Sequence, residues 1–402
     1  MDMMKYINVF SLMAGVLLVA GLGADAASKF KKGEDPMSVC LNIKDFGAKG
    51  DGKSDDTPAL LKAMEKAKSG NGTIWFPTGT YCIHPVKVPS HIALKGASNW
   101  GYENKGKKDP EFEGRTILKA LSGDARALLD CHDTRGTRII GLTLDGNKLG
   151  KSMHGIYARH TGCELHLVIE DCRINHFTGS GIRLEKAWVF AIRRCLIMWN
   201  DEHGIDCTGG YDGWVIDTML TANAGAGFYA GGEAPKGMDE KEKKAIGFFG
   251  SASVMLTANR IEWNRAGGII LNGANSMQIN GCSIDHNFGP GIMMTDSTAN
   301  TVSGCKVRTN GVDCEGEKSC QIRLEDCNGT AVTGNTLWGW FNRGEYDYKE
   351  ADPLYGMILK NLNGCVVANN AMYHASSLKG IHDHGGHEAT VIENNTYVKP
   401  TK

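Results

Sequence analysis

Four residues whose side chains suit carbohydrate chemistry, Tyr157, Arg183, Asp206 and Tyr229, stand two places after glycines that return along the chain, Gly155, Gly181, Gly204 and Gly227. Aromatic rings offer flat faces to sugar rings, and guanidinium and carboxylate groups bind hydroxyls or carboxylates. The stretch around Asp206 also carries Asp201, Glu202 and His203 before it and Asp212 and Trp214 after it. Hydrolysis of a glycosidic bond needs one protonated and one ionised carboxyl group, about 5 Å apart for retention or about 6.5 to 9.5 Å for inversion. Asp206, with Arg183 beneath it, reads as the ionised partner, and Asp201, Glu202 or Glu233 as the acid. β-Elimination on a uronate instead needs a cation or arginine against the sugar carboxylate and a nearby base. Arg183, Lys186, Arg159, His203 and Tyr229 supply such groups. The catalytic candidates are therefore Asp206, Asp201, Glu202, Arg183 and Glu233, and the substrate-binding candidates Tyr157, Arg159, Tyr229, His203, Asp212 and Trp214.

The positioning element is a repeat. Adding Gly268 and Gly291 to the series gives steps of 26, 23, 23, 41 and 23 residues, the signature of stacked coils. Five residues after Cys195, Thr218, Asn259, Cys282 and Cys305 stand Asn200, Asn223, Asn264, Asn287 and Asn310. This spacing predicts an asparagine ladder at one corner of successive coils, each asparagine tolerating a left-handed backbone. Side chains alternate along a strand, so Ile156, Ile182, Ile205, Phe228, Ile269 and Ile292 point inward. The next residue of each coil points outward, and the four candidates above span about 14 Å at the strand spacing. The outward stripe turns apolar at Ile270 and Met293. The expected fold is an all-β, right-handed parallel β-helix, a solenoid with an N-terminal capping helix.

Composition narrows the partners. With 44 basic and 45 acidic residues, the chain has no charge excess that would draw it to nucleic acid or to an anionic membrane. Residues 1–26 read as a secretory signal peptide: Lys5, an apolar run from Ile7 to Gly23, then Ala24-Asp25-Ala26 as a cleavage site. The expected location is secreted or periplasmic, with no membrane attachment after signal cleavage. Of the 13 cysteines, Cys172, Cys195, Cys282 and Cys305 share one repeat position and read as small buried residues. Cys314 and Cys320, flanking a charged excursion, form the best candidate disulfide. No Cys-x-x-Cys occurs, and His382-Asp-His-Gly-Gly-His-Glu388 matches no defined ligand spacing, so no metal site is expected.

Residues 27–41 read as a linker and 42–97 as a cap with the first strands. The helical pattern Pro58 to Lys68 has Asp56 or Thr57 as its N-cap. A helix here would cover the open end of the solenoid. Within this segment, Asp45-Phe46-Gly47-Ala48-Lys49-Gly50-Asp51-Gly52, Asp55-Asp56-Thr57 and Phe76-Pro77-Thr78-Gly79-Thr80-Tyr81 resemble the pectate-lyase-like superfamily, in particular its rhamnogalacturonase and epimerase-like branch. The resemblance implies a right-handed β-helix; the superfamily includes hydrolases, lyases, epimerases and phage tail proteins. The Asp-Asp, Gly-His-Gly and Arg-Ile-Lys signature of family 28 hydrolases is missing, so that family's catalytic residues are not carried over. Asp352-Pro-Leu-Tyr-Gly356 is weakly similar to a segment of inulin fructotransferases. The solenoid fills 98–402, interrupted by loops at 100–114, 232–250 and 338–355, and long loops on a rigid scaffold are where binding concentrates.

These observations point to a secreted enzyme that cleaves glycosidic bonds of a polysaccharide or oligosaccharide. Hydrolysis is favoured, because carboxylates outnumber basic groups around Asp206. β-Elimination on a uronate-containing glycan such as pectin, a fructan conversion and noncatalytic glycan binding are the alternatives. No cofactor is expected beyond calcium in the lyase case, and an oligomer is compatible with the scaffold.

Overall fold

The computed structural model describes residues 40–70, 72–97, 116–160, 167–231, 250–312, 314–339 and 352–399. The signal-peptide reading, Glu233, the first two loops and most of the third lie outside these residues.

The chain winds through three long sheets in turn. Two have 13 strands, running from Cys40–Asn42 to Val391–Glu393 (sheet 1) and from Asp51–Asp55 to Thr396–Val398 (sheet 2). The third has 11 strands, from Val86–Lys87 to Lys379–Asp383 (sheet 3). Neighbours pair in parallel and in register, as in Ile174↔Ile197 and Ile197↔Leu220. This is a parallel β-helix whose interior is a stack of like residues. Ile174, Ile197, Leu220, Ile261, Ile284 and Val307 of sheet 2 are fully buried, as are Ile156, Ile182, Ile205, Phe228, Ile269 and Ile292 of sheet 3. Each such side chain contributes about 1.5–3 kcal/mol by leaving water, and β-branched residues fit the pleat.

The corner between sheets 2 and 3 explains the glycine–asparagine phrase. A Cβ on Gly181 would run into Ile197 of the next coil, so the turn closes only around glycine. Asn200, Asn223, Asn264, Asn287 and Asn310 form the expected ladder, each Nδ2 donating to the next Oδ1 at 2.8–3.0 Å. The left-handed residue, however, is the one before each asparagine: Trp199, Ala222, Trp263, His286 and Thr309 have φ of 49–59°. Each asparagine oxygen also accepts the backbone N–H of the asparagine one coil earlier, and so offsets a left-handed strain of roughly 1–2 kcal/mol. At the top the ladder ends on Gln321, whose Oε1 accepts from both nitrogens of Asn310. Gln321 occupies the position held by the turn glycine one coil earlier.

Cys172, Cys195, Cys282 and Cys305 are buried as expected, their thiols directed at carbonyl oxygens of Ile139, Ile169, Leu256 and Ile279 at 3.4–3.7 Å. The expected Cys314–Cys320 disulfide is not formed; both are thiols. Cys320 is fully buried at the start of a strand, whereas the Cys314 sulfur lies 3.5 Å from the Phe288 carbonyl oxygen of the previous coil.

A helix spans Thr57–Lys68, with Leu60, Ala63, Met64 and Ala67 in the hydrophobic core. Asp56 precedes it but does not cap it. Its carboxylate accepts the backbone N–H groups of Lys49 (2.6 Å) and Gly50 (3.0 Å), pinning the preceding turn. Asp55 takes the capping role, accepting from the Thr57 N–H at 2.9 Å. Among the described residues no helix is long and apolar enough to cross a membrane.

Candidate functional site

Tyr157, Arg183, Asp206 and Tyr229 are register partners on four consecutive strands of sheet 3, and Arg159, Glu185 and Thr208 form the adjacent outward column. The two columns interlock through Arg183. Its Nη1 donates to Asp206 Oδ2 at 2.5 Å and its Nε to Glu185 Oε1 at 2.8 Å. Glu185 Oε2 accepts from the Tyr157 hydroxyl at 2.7 Å, and Asp206 Oδ1 from the Thr208 hydroxyl at 2.8 Å. The Arg126 guanidinium covers the Tyr157 ring, 4.5 Å from its centroid. Tyr157 is 1 % and Asp206 3 % exposed, so these are inner members of the patch rather than a solvated ladder. Burial, then the hydrogen bond to Glu185, pushes the Tyr157 phenol up to about 12, a group that gives a proton reluctantly and stays neutral. Burial pushes Glu185 up, but the hydrogen bonds from Tyr157 and Arg183 outweigh it and hold the carboxyl below its usual range. Burial lowers Arg183, yet Asp206 and Glu185 more than restore it, raising it above its ordinary value.

Beside these columns, where the chain enters sheet 3, two histidines repeat one arrangement two coils apart. His154 Nδ1 accepts the Ser180 N–H at 2.8 Å, and His203 Nδ1 accepts the Ala226 N–H at 2.9 Å. A Cβ on Gly179 would stand 2.5 Å from His154 Nδ1, and one on Gly225 2.6 Å from His203 Nδ1, so each ring lies flat only because glycine faces it. Burial lowers both histidines from their ordinary value, keeping the rings neutral. With Nδ1 accepting, the proton resides on Nε2, and both rings are donors. His203 also stacks on Tyr229, centroids 4.7 Å apart and planes within 14°. Glu202 completes the cluster: it accepts from the Ser152 hydroxyl and, at 3.3 Å, from the Ser180 hydroxyl, and its Oε2 lies 4.0 Å from His154 Nδ1. About a third of its side chain is exposed. Asp206 and Glu185 are buried and paired with Arg183, whereas Glu202 is bonded only to hydroxyls and partly exposed, so Glu202 is the cluster's solvent-reachable carboxylate.

Asp201 lies outside the cluster, exposed and paired with Lys148 at 2.6 Å. Asp212 and Trp214, candidates for substrate binding from their place after Asp206, lie around the next corner. Asp212, left-handed at φ 49°, turns the chain out of sheet 3 and accepts the Trp188 indole N–H at 2.8 Å, while Trp214 sits on sheet 1 between Ala191 and Met255. Arg159 does lie on the patch, its buried Nε without a hydrogen-bond partner among the described residues. Glu185, His154 and Arg126 are the members that the repeat pattern does not single out. The signal for the histidines is the paired glycine of Gly179-Ser180-Gly181 and Gly225-Ala226-Gly227, one glycine for the turn and one for the ring below.

Two further charged clusters lie elsewhere. On sheet 2, Glu262 and Asp285 are register partners, 2 % and 3 % exposed. Burial raises Glu262, whereas Asp285 is pushed up by burial but drawn down to about 2 by His286 and Arg308. The stacked rings of Trp263 and His286, 4.5 Å apart, follow these two buried residues directly. At the C-terminal coils, ligand atoms of Glu317, His382 and His384 lie within 4.8 Å of one another, a grouping that the His382–Glu388 spacing alone does not disclose.

Residues 40–126 match a family model described as rhamnogalacturonase A/epimerase, pectate lyase-like, and residues 240–351 one described as right handed beta helix region. The chain is 27% identical over 192 residues to mannuronan C5-epimerase AlgE6 of Azotobacter vinelandii, covering 44% of this chain and 20% of that protein. It is 28% identical over 194 residues to alginate lyase 7 of the same organism, covering 45% and 21%. The chain thus spans about a fifth of the length of these relatives. In fold it is similar to the A-module of AlgE6, with a TM-score of 0.64 and 18% identity over 90% of this chain and all of the module. The DFA-IIIase of Arthrobacter chlorophenolicus A6 gives a TM-score of 0.59 at 14% identity, over 90% of this chain and 99% of the other. The winding of sheets, the N-terminal signature and these similarities agree: the chain belongs to the pectate-lyase-like superfamily of right-handed parallel β-helix proteins.

Proposed function

We propose that this protein is an exported enzyme that modifies a uronate-containing polysaccharide by removing the proton next to the sugar carboxylate, ending in β-elimination or in epimerisation. The observation that carries this reading is the distribution of proton-transfer groups. Asp206 and Glu185 are both committed to Arg183, which leaves Glu202 as the reachable carboxylate beside the two neutral imidazole donors among the described residues. A hydrolase needs two working carboxyl groups, whereas proton abstraction needs one base and donors for the charge that develops on the sugar carboxylate. In this reading Glu202 takes the proton, the Nε2–H groups of His154 and His203 stabilise the developing enolate, and the Tyr229 ring supports the sugar face; the enolate then either expels the glycosidic oxygen, which takes a proton from water, or takes a proton from water on its opposite face. Arg183 holds Asp206 and Glu185 in place and keeps the patch from becoming a bare acidic surface that would repel a polyanion. The names of the sequence relatives, epimerases and a lyase acting on mannuronan and alginate, support the substrate class. The apolar segment ahead of Ala26 supports export, and the helix Thr57–Lys68 is read as covering the first coil.

The test is incubation of the protein with polymannuronate, polygalacturonate and neutral glycans, with and without a calcium chelator. Ultraviolet absorbance, reducing ends and proton NMR of the anomeric region are recorded. Unsaturated ends or inverted uronates, abolished in Glu202→Gln, are the expected result. Reducing ends on a neutral glycan without absorbance, insensitive to Glu202→Gln, would refute the reading.

A further inference from the structure

Glu317, His382 and His384 come from segments 65 residues apart and meet on the outer side of sheet 3. Glu317 belongs to the short 3-10 turn Gly316–Lys318 that precedes the strand Cys320–Glu325, and the histidines to the last strand of the sheet, Lys379–Asp383, and the residue after it. His384 Nε2 lies 2.8 Å and His382 Nε2 3.9 Å from the same oxygen, Glu317 Oε1. The two rings meet edge to face, centroids 4.4 Å apart.

Each side chain is oriented by a neighbour. Arg323 Nη1 reaches the other Glu317 oxygen at 3.4 Å, turning Oε1 toward the rings. His382 stacks on Tyr355 with centroids 4.7 Å apart. His382 Nδ1 is buried and has no hydrogen-bond partner among the described residues, so the ring is not tied down by a bond of its own on that side. His387 and Asp383 of the motif are occupied: His387 Nε2 bonds Asp383 at 2.7 Å, and His387 Nδ1 accepts the Leu362 N–H at 3.1 Å.

We infer that Glu317, His382 and His384 form a binding site for one divalent transition-metal ion of the zinc type, clipping the 314–319 turn to the last coil. Two imidazoles and one carboxylate suit zinc, nickel or copper, whereas calcium takes an all-oxygen shell. Three protein ligands leave one tetrahedral position open to water. Along sheet 3 the site lies in the same outward column as Asp206, six strands away or about 29 Å at the strand spacing. It is therefore separate from the patch proposed for sugar chemistry, and its test does not depend on activity.

The experiment uses the untagged full chain, stripped with a chelator and dialysed. Zinc chloride is titrated by calorimetry and cobalt(II) by visible absorbance, with calcium chloride as a control. One zinc per chain, a tetrahedral cobalt spectrum and a thermal midpoint that rises with zinc concentration are expected. Glu317→Gln and His384→Gln should each weaken zinc at least tenfold while circular dichroism is unchanged, and His387→Gln should bind as the parent does. Absence of zinc binding, calcium binding in its place, or affinity unaltered by both Glu317→Gln and His384→Gln would overturn the assignment. If one of these variants fails to fold, the other and the cobalt spectrum of the parent decide.

Discussion

Replacing Arg183 with glutamine removes the cation that two buried carboxylates share while keeping a side chain of similar length. Asp206 is 3 % and Glu185 9 % exposed, and each receives a direct Arg183 hydrogen bond. Breaking a buried ion pair by removing one partner costs about 3–5 kcal/mol, because an uncompensated charge stays inside. Over the roughly 360 residues from Val39 onward, an unfolding entropy of about 2 cal/mol/K per residue converts that loss into a fall of about 4–7 °C in thermal midpoint. The pH dependence carries the sharper signature. In the parent, Glu185 is held below its ordinary value, so its contribution is complete above about pH 4.5 and is lost as pH falls through the lowered value. In the variant both Arg183 contributions are lost and burial is opposed only by the Tyr157 hydrogen bond and the Arg159 charge, so the folded-state value moves up from its lowered position. Protonating the stranded carboxyl then relieves part of the cost, and the deficit should shrink as pH is lowered from 7.5 toward 5. Thermal unfolding of both proteins at pH 7.5, 6 and 5 reads this directly. Arg194→Gln is the control: Arg194 is half exposed, Asp171 lies at the surface and Glu170 keeps its second partner Arg193, so a shift of about 1 °C or less is expected. A deficit at Arg183→Gln no larger than the control's, or one that grows toward pH 5, would refute the central role given to this residue.

Two further perturbations address the scaffold around the site. Gly225→Ala places a methyl group 2.6 Å from His203 Nδ1 at a residue with no left-handed strain, so it should displace the ring, break its bond to the Ala226 N–H and cost about 1–3 kcal/mol. NMR titration should then find His203 nearer its ordinary value, with turnover reduced at least tenfold; an unshifted His203 resonance would show that the glycine is not what seats the ring. Asn264→Ala removes a fully buried amide that accepts from both nitrogens of Asn223 and donates to Leu220, Glu262 and Asn287. A second ladder runs through Asn335, Asn370 and Asn395. At about 1–3 kcal/mol per stranded group Asn264→Ala should lower the thermal midpoint more than Asn395→Ala at the half-buried end of that ladder, and equal shifts for the two would contradict the ladder argument.

The coils were legible because their constraints are local and repeat: a glycine where the corner meets the next coil, an isoleucine that must face inward, an asparagine whose amide bonds its own copy one coil on. Strand alternation then placed Tyr157, Arg183, Asp206 and Tyr229 in one column, and the register bears that out. Trp214 escaped this logic because alternation holds only within a strand. The left-handed Asp212 turns the chain onto sheet 1, and nothing in residue types marks how far a corner turns. The same limit explains the asparagine corner, where the ladder was foreseen but the left-handed angle falls one residue earlier.

What the pattern could not carry is pairing between columns. Glu185 lies two residues beyond Arg183 on the same strand and at the register position of Thr208 on the next, so it reads as an isolated surface acid. Only the structure shows that Arg183 reaches diagonally to both carboxylates, which changes what each can do. Asp206, the strongest candidate base from its type and position, becomes a group whose two oxygens are already taken. Glu202, one of three interchangeable acids in the sequence, becomes the carboxylate that solvent and substrate can reach. Chemistry in a solenoid is thus assigned by which side chains stay reachable and unpaired with a cation, and register within one column does not contain that information.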